Sequence, residues 1–352
     1  MRKALSLLLS ICIILGSGIN KKSYANTNNV QSAWLTTAWS LDWPKTKNNS
    51  TAQKKELIKI LDTLKDTGIN TVMFQVRPYG DAMYKSSINP WSKELTGTQG
   101  KDPGYDPLAF IIQEAHTRGM KVHAWLNPYR VVSSGTDVNV LSSNHLARQN
   151  PSLLIENRGG LYYNPDLQEV KDHISNTVGE IVSNYDIDGI TFDDYFYPTD
   201  YPLPQGEDKD GVVANARREH INQMIRQVRN TIKGIKPEVR FGVSPRGILK
   251  NKMNDSNGSD TGYAKESYYS DYADTVKWVK EGYIDYIIPQ VYWEIEHNVA
   301  PFKTVTNWWE NVVKGRQKEV YKIPYETHPA DRPRQCVFGG TSNALDFLPL
   351  DQ

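Results

Sequence analysis

Two adjacent acids, Asp193 and Asp194, stand where a short β-branched and apolar run gives out in DGITFDDYFYP, residues 188–198. Tyr195, Phe196, Tyr197 and Pro198 follow at once. A carboxylate in such a place serves as a nucleophile, a general base, a metal ligand or the partner of a buried arginine. Glycoside cleavage typically takes two carboxyl groups, about 5–5.5 Å apart for retention and about 6.5–9.5 Å apart for inversion. Asp193 supplies one. For the second, the sequence offers Asp194 itself, Glu294 in YWEIEH and Asp81 in RPYGDAMY. Glu294 reads equally well as a solvated loop residue, and Asp81 as a turn side chain after Gly80. Arg77 is an obvious ion-pair partner for Asp193, and a purely structural pair is the competing reading of both. His123 with Asp193 is a thin set against the ligands zinc requires. A hydrogen bond from His123 to a substrate hydroxyl or a neighbouring acid is favoured instead. NDSNGSD, residues 254–260, lacks the EF-hand spacing and reads as a polar loop. The residues call for no metal and no cofactor.

The elements that must position these groups alternate along the chain. AWLTTAW (33–39), TVMFQV (71–76), KVHAWL (121–126), residues 189–193, RFGVS (240–244) and YIIPQVYW (286–293) read as strands. Residues 54–66, 107–118, 170–184, 214–233, 271–280 and 301–314 carry a helical period, and Gly68, Gly119 and Gly234 are natural stops. Successive β-then-α units predict a parallel sheet covered by helices. No Gly-rich phosphate loop follows the first strand, which disfavours an open dinucleotide-type sheet. The expected fold is a (β/α)8 barrel of the TIM type, with its site at the C-terminal ends of the strands. Strands seven and eight have weak candidates around 319–325 and 336–339. ETHPADRPRQ between them has no helical period, so the barrel is expected to end irregularly or incompletely.

Side chains alternate along a strand. One parity is polar toward the C-terminal ends: Gln75 and Arg77, then His123, Trp125 and Asn127, then Thr191, Asp193 and Tyr195, then Ser244, then Gln290 and Tyr292. The other parity holds Phe74, Val76, Val122, Ala124, Ile190, Phe192, Phe241, Val243 and Val291, which suits packing against helices. The polar set is expected to face the barrel mouth, with Asp194 turned toward the rim. Asp188 sits at the strand's start and reads as a turn residue with Gly189. Trp39, Trp91, Trp125, Tyr129, Tyr195, Tyr197 and Trp293 fall at or just beyond strand ends. Such rings offer sugars a flat apolar face with a polar handle.

Composition agrees with a large globular protein. Of 352 residues, 39% are hydrophobic and 23% charged, and 9 Trp and 20 Tyr are present. Lys plus Arg is 41 against 40 for Asp plus Glu, which argues against a nucleic-acid partner. Arg2 and Lys3, the apolar run from Ala4 to Leu15, and Ser23-Tyr24-Ala25 have the form of a signal peptide cleaved after Ala25. The mature chain would then keep Cys336 alone, without a disulfide framework or cysteine-based metal site. Nothing after the leader is apolar enough to span a membrane. The expected organisation is a signal peptide over 1–25, a barrel over 26–315 and an atypical segment over 316–352. The expected location is secreted or in the cell envelope.

With these residues in view, the sequence resembles the glycosyl hydrolase-like 10 family, exported bacterial barrel proteins. The matching segments are AWLTTAWSLDWP (33–44), FQVRPYGDAMYKSSINPWSKELTG (74–97), DPGYDPL (102–108), HAWLNPYR (123–130), DGITFDDYFYP (188–198), FGVSPRGI (241–248) and IDYIIPQVYWEIEH (284–297). The resemblance implies a (β/α)8 barrel that cleaves glycosidic bonds between amino sugars, in peptidoglycan strands stripped of their stem peptides. Residue by residue it supports Arg77, Asp81, Tyr84, His123, Asn127, Arg130, Asp193, Asp194, Tyr195, Gln290, Tyr292 and Trp293 as site residues. Ser32 stands where members often have Arg, and Arg246 where an aromatic is common. Chitinase-type barrels end strand four in DxxDxDxE, and Tyr195 occupies the place of that final acid. Asp193 is then either a direct nucleophile or the group that orients a substrate acetamide. The leading expectation is a glycosidase with Asp193 central and Asp194 or Glu294 as acid/base. A glycan-binding module without turnover is the alternative, and a metal-dependent deacetylase or esterase the third.

Overall fold

In a computed structural model, residues 30–314 and 319–320 are described. Among these residues seven parallel strands form one sheet, in the order β1 (Ser32–Leu35), β2 (Thr71–Arg77), β3 (Lys121–Leu126), β7 (Gly189–Phe192), β8 (Arg240–Val243), β9 (Tyr286–Ile287) and β10 (Glu319–Val320). The sheet curls on itself. His123 of β3 meets Tyr286 of β9, three strands away, with Nδ1 2.7 Å from the phenol oxygen. The hydroxyl of Thr191 on β7 reaches the sulfur of Met73 on β2 at 3.5 Å. This is the barrel architecture of TIM type expected from the alternating elements. The candidate for strand eight, the rest of 319–325 and the leader over 1–25 lie outside the described residues.

Six helices longer than one turn cover the outside of the described sheet: α1 (Ser50–Asp66), α2 (Pro107–Thr117), α3 (Gln168–Asn184), α4 (Val212–Ile235), α5 (Thr275–Lys280) and α6 (Phe302–Val313). Their starts follow capping chemistry. Asn49 accepts from the Ala52 N–H and Asp106 from the Ala109 N–H, both at 3.0 Å, and Pro107 occupies the first turn of α2. The parity argument divides the core in two. Phe74, Val76, Val122, Ala124, Ile190, Phe192, Phe241, Val243 and Val291 join the helices in one large cluster. Met73, Tyr286 and Ile288 form a small second cluster inside the curl, with Val30 and Trp34 against it.

Two strand glycines make that interior possible. A Cβ on Gly242 would lie 2.1 Å from the Tyr286 ring, and one on Gly189 would lie 2.6 Å from the His123 ring. Both faces are closed by rings that bond to each other, so neither has room to retreat. Gly242→Ala is expected to destabilise the fold by about 3 kcal/mol, the upper end for overpacking. A urea midpoint unchanged from the parent would contradict this placement.

Three expected elements are bounded differently, and one small sheet is additional to those expected. The first strand stops at Leu35, because Thr36 is tied into a turn with Asp42 (Thr36 N to Asp42 Oδ2, 2.8 Å) and Trp39 has φ 54°. The ladder of β9 covers two residues only, because Pro289 has no N–H to continue it; Gln290 N then bonds Pro245 O at 2.9 Å. The helix expected from residue 271 begins at Thr275, capped by Asp274. Between β3 and α3 an antiparallel sheet is inserted, in the order β4 (Arg130–Val132), β6 (Gly160–Tyr163) and β5 (Leu154–Asn157). Its hairpin turns at Arg158 and Gly159, with φ 49° and 74°, the two-residue type that favours glycine.

Candidate active site at the mouth of the barrel

Asp193 directly follows β7 and is 8% exposed. Three donors hold it: Asn127 Nδ2 to Oδ2 at 3.0 Å, Gln290 Nε2 to Oδ1 at 3.2 Å and the Asp194 N–H to Oδ1 at 2.9 Å. The directions of these bonds are fixed from the backbone outward. Gln75 Oε1 accepts from the N–H groups of Thr37 and Ala38, both at 2.9 Å. Its amide nitrogen must therefore face Asn127, and donates to Asn127 Oδ1 at 2.6 Å. Asn127 in turn can offer only its NH2 to Asp193. On the other side, Gln290 Nε2 also donates to the Ser244 carbonyl at 2.9 Å. Peptide N–H groups only donate and carbonyls only accept, so both neighbouring amides are locked with nitrogen toward Asp193. Five members of the polar parity set, Gln75, Asn127, Asp193, Gln290 and, through its carbonyl, Ser244, thus form one chain of hydrogen bonds.

Asp194 has a different setting. Burial, then the charges of Asp193 and Asp271, raise its pKa well above the usual carboxyl value of 3.8, and Arg246 opposes the shift. Arg246 lies beyond β8, its backbone bridged to Gln290. Its Nε donates to Asp271 Oδ2 at 2.5 Å, and one terminal nitrogen reaches Thr199 Oγ1 at 2.8 Å and Asp271 Oδ1 at 3.3 Å. Burial lifts Asp271 to about 6 even beside this guanidinium. Two neighbouring carboxyl groups with unequal surroundings are the arrangement that separates a proton donor from a charge stabiliser.

The rim is aromatic. Trp39, Tyr195 and Tyr292 are exposed at 54%, 38% and 45%. Partial burial, followed by the charges of Asp193 and Asp194, raises both phenols, Tyr195 to about 12. Trp293 is half-buried and its ring lies 3.0 Å from where a Gly247 side chain would begin. Below it, Trp309 of α6 donates to the Gly247 carbonyl at 2.7 Å, tying the outer helix to this loop. Arg130 lies between the Tyr195, Tyr79 and Trp39 rings, 4.6, 4.9 and 5.6 Å from their centroids.

Other expected site residues go elsewhere. The Arg77–Asp193 pair does not form. β2 has a register irregularity between Gln75 and Arg77, and Arg77 pairs with Leu126 instead of continuing the lumen parity. Its guanidinium turns to the helix side, donating to the Asn127 and Pro128 carbonyls at 3.0 Å and meeting His173 of α3 at 3.3 Å. Arg77, Asp81 and Tyr84 are all sealed from solvent. Asp81 accepts from the Tyr79 N–H at 3.2 Å, and the Tyr84 ring packs on Tyr185 at 5.7 Å. His123 stands four residues before Asn127 on the same strand path, about 13 Å at the strand rise. It lines a cavity of about 250 Å³ at the opposite end of the barrel with Asp186, Asp188 and Arg240. Burial lowers its pKa to about 3, so it is neutral. Asp188 bonds the Val122 N–H and His116, as a strand-start residue. Trp125 is buried in the lumen, edge-on to Trp34 at 4.8 Å, rather than in the open groove. Glu294 is exposed on the loop after Trp293 and takes no part in the Asp193 network. Asp271 and Thr199 were not foreseen, since 72 residues separate them and neither shows a motif.

Among the described residues, no three His, Cys, Asp or Glu groups are placed to hold a metal, and no helix is long and apolar enough to cross a membrane.

The family described as glycosyl hydrolase-like 10 matches residues 29–325, reaching past Gly315. Glycosyl hydrolase YngK of Bacillus subtilis (strain 168) is 43% identical over 303 residues, covering 83% of this chain and 59% of that protein. Glycosyl hydrolase DigH of Escherichia coli (strain K12) is 42% identical over 313 residues, covering 82% of this chain and 71% of that one. The chain therefore spans about three-fifths of YngK. Among solved structures, the endo-1,4-beta-mannanase of Rhizomucor miehei aligns with 75% of this chain and 66% of its own, at 13% identity and a TM-score of 0.45. With a match over most of the chain and relatives above 40% identity, the chain belongs to the glycosyl hydrolase-like 10 family.

Proposed function

We propose that this protein is an exported glycoside hydrolase acting on N-acetylated amino-sugar strands of the bacterial cell wall, with peptide-free peptidoglycan as its substrate. The observation that carries the reading is the unequal carboxyl pair at the mouth. Asp193 accepts three hydrogen bonds, while Asp194 keeps its proton to unusually high pH. In the proposed reaction Asp194 donates its proton to the glycosidic oxygen as that bond breaks. Asp193 stabilises the positive charge developing at the anomeric carbon, directly or through the substrate's acetamide. Water supplies hydroxide to the sugar and returns a proton to Asp194. The exposed Trp39, Tyr195 and Tyr292 stack on sugar rings. The leader-like residues 1–25 support export, and the similarity to the glycosyl hydrolases YngK and DigH supports glycosidic cleavage.

The test is product mass. Peptide-free peptidoglycan strands incubated with the protein are expected to yield short saccharides with new reducing ends, and their masses identify the bond cut. Binding of strands with no new reducing ends would favour the glycan-binding alternative.

A further inference from the structure

Arg130 is a buried cation at the mouth without an acid. It is 5% exposed. Its Nε donates to the Pro78 carbonyl at 3.1 Å, and that is the guanidinium's one hydrogen bond among the described residues. It makes no ion pair there, unlike Arg246, which is committed to Asp271. Three rings flank it, so its position is set by stacking and by one carbonyl. The two terminal nitrogens are left over, and they are not among the sealed polar atoms without partners, so they keep some accessible surface. A guanidinium withdrawn from water this far is costly unless an anion completes it. One of its flanking rings belongs to the exposed Tyr195, two residues after Asp193, which sets the guanidinium beside the groove.

The fork geometry selects a planar carboxylate. We infer that Arg130 binds a carboxylate carried by a sugar beside the bond to be cleaved, making it the residue that selects an acidic glycan. The inference rests on the glycosidase reading above and names its substrate more closely. In cell-wall strands the lactyl carboxyl of the muramic sugar is the group of that kind. It is free when the stem peptide has been removed and is lost to an amide bond when the peptide is present. A neutral amide offers one oxygen and no charge where a carboxylate offers two oxygens to the two unpartnered nitrogens.

The experiment measures binding in an Asp193→Asn background, which keeps the glycan intact. The ligands are peptide-free strands with free lactyl carboxyls, the same strands after coupling to methylamine, and a neutral chitin oligosaccharide. The free-acid strands are expected to bind about 10- to 100-fold more tightly than the methylamides, the range for a charge-assisted bond. Adding Arg130→Gln is expected to shrink that ratio to within about threefold, whatever the absolute affinities. Arg130→Lys, which keeps the charge and loses the fork, should leave an intermediate ratio. The ligand comparison needs no second variant, so a misfolded Arg130→Gln protein leaves the test standing. Chitin binding with an acid-to-amide ratio near one would overturn the assignment of Arg130 alone. Binding of none of the three glycans would remove the glycosidase reading itself.

Discussion

Asp193→Asn is expected to lower kcat on peptide-free strands by at least about 10³-fold. Its fold should survive with a measurable loss. The substitution is nearly isosteric, but the surrounding donors cannot adapt to it. Asn127 is held by Gln75, which is held by two backbone N–H groups, and Gln290 is held by the Ser244 carbonyl. Every group facing position 193 is therefore a donor, and the new NH2 must oppose one of them whichever way the amide turns. An unmet buried donor costs about 1–3 kcal/mol. The expected result is a protein that folds, unfolds at lower denaturant, retains glycan and has lost turnover. Adding Asn127→Asp turns one of these donors into an acceptor for the new NH2 while its other oxygen still accepts from Gln75, so the double variant should recover stability without recovering turnover. Turnover within tenfold of the parent would exclude Asp193 from the chemistry.

Much of this arrangement is legible in the sequence because lumen parity is a local property. Gln75, Asn127, Asp193, Ser244 and Gln290 each sit at the right phase of a strand, and counting by twos finds them. The barrel is legible for the same reason, from alternation of β and α periods. What escapes counting depends on a break in the count. One irregularity in β2 moved Arg77 from the mouth to the helix side, and no residue type announces it. His123 has the right phase but the wrong depth, since parity says which face a side chain takes and not how far along the barrel it lies. Arg246 and Asp271 pair across 25 residues with no periodicity between them. The inserted sheet leaves only a weak trace, the Arg158-Gly159 turn between LIEN and GLYY, because the strands around it lack an alternating pattern.

Asp194→Asn should give the second large loss, and its signature is in pH and leaving group. A general acid works while protonated, so activity falls as pH rises through its pKa in the complex. Burial, Asp193 and Asp271 raise that pKa well above 3.8, so the alkaline limb of kcat should lie at higher pH than an ordinary aspartate would give. In Asp194→Asn this limb should disappear, with kcat on glycan lower by about 10²- to 10⁴-fold. An aryl glycoside whose phenolate leaves without help should show a much smaller deficit, within about tenfold. Stability gives an independent check with a definite sign. Between the unfolded pKa and the raised folded one, the native state binds the extra proton, so stability falls as pH rises across that interval. The asparagine lacks this titration. The variant should therefore gain stability relative to the parent as pH rises through the same interval, then hold a constant difference above it. A parent and variant whose unfolding midpoints move in parallel from pH 4 upward would show that Asp194 is ionised like any surface carboxylate. The proton donor would then have to be sought in another acid, with Asp271, lifted to about 6 by burial, the next in line.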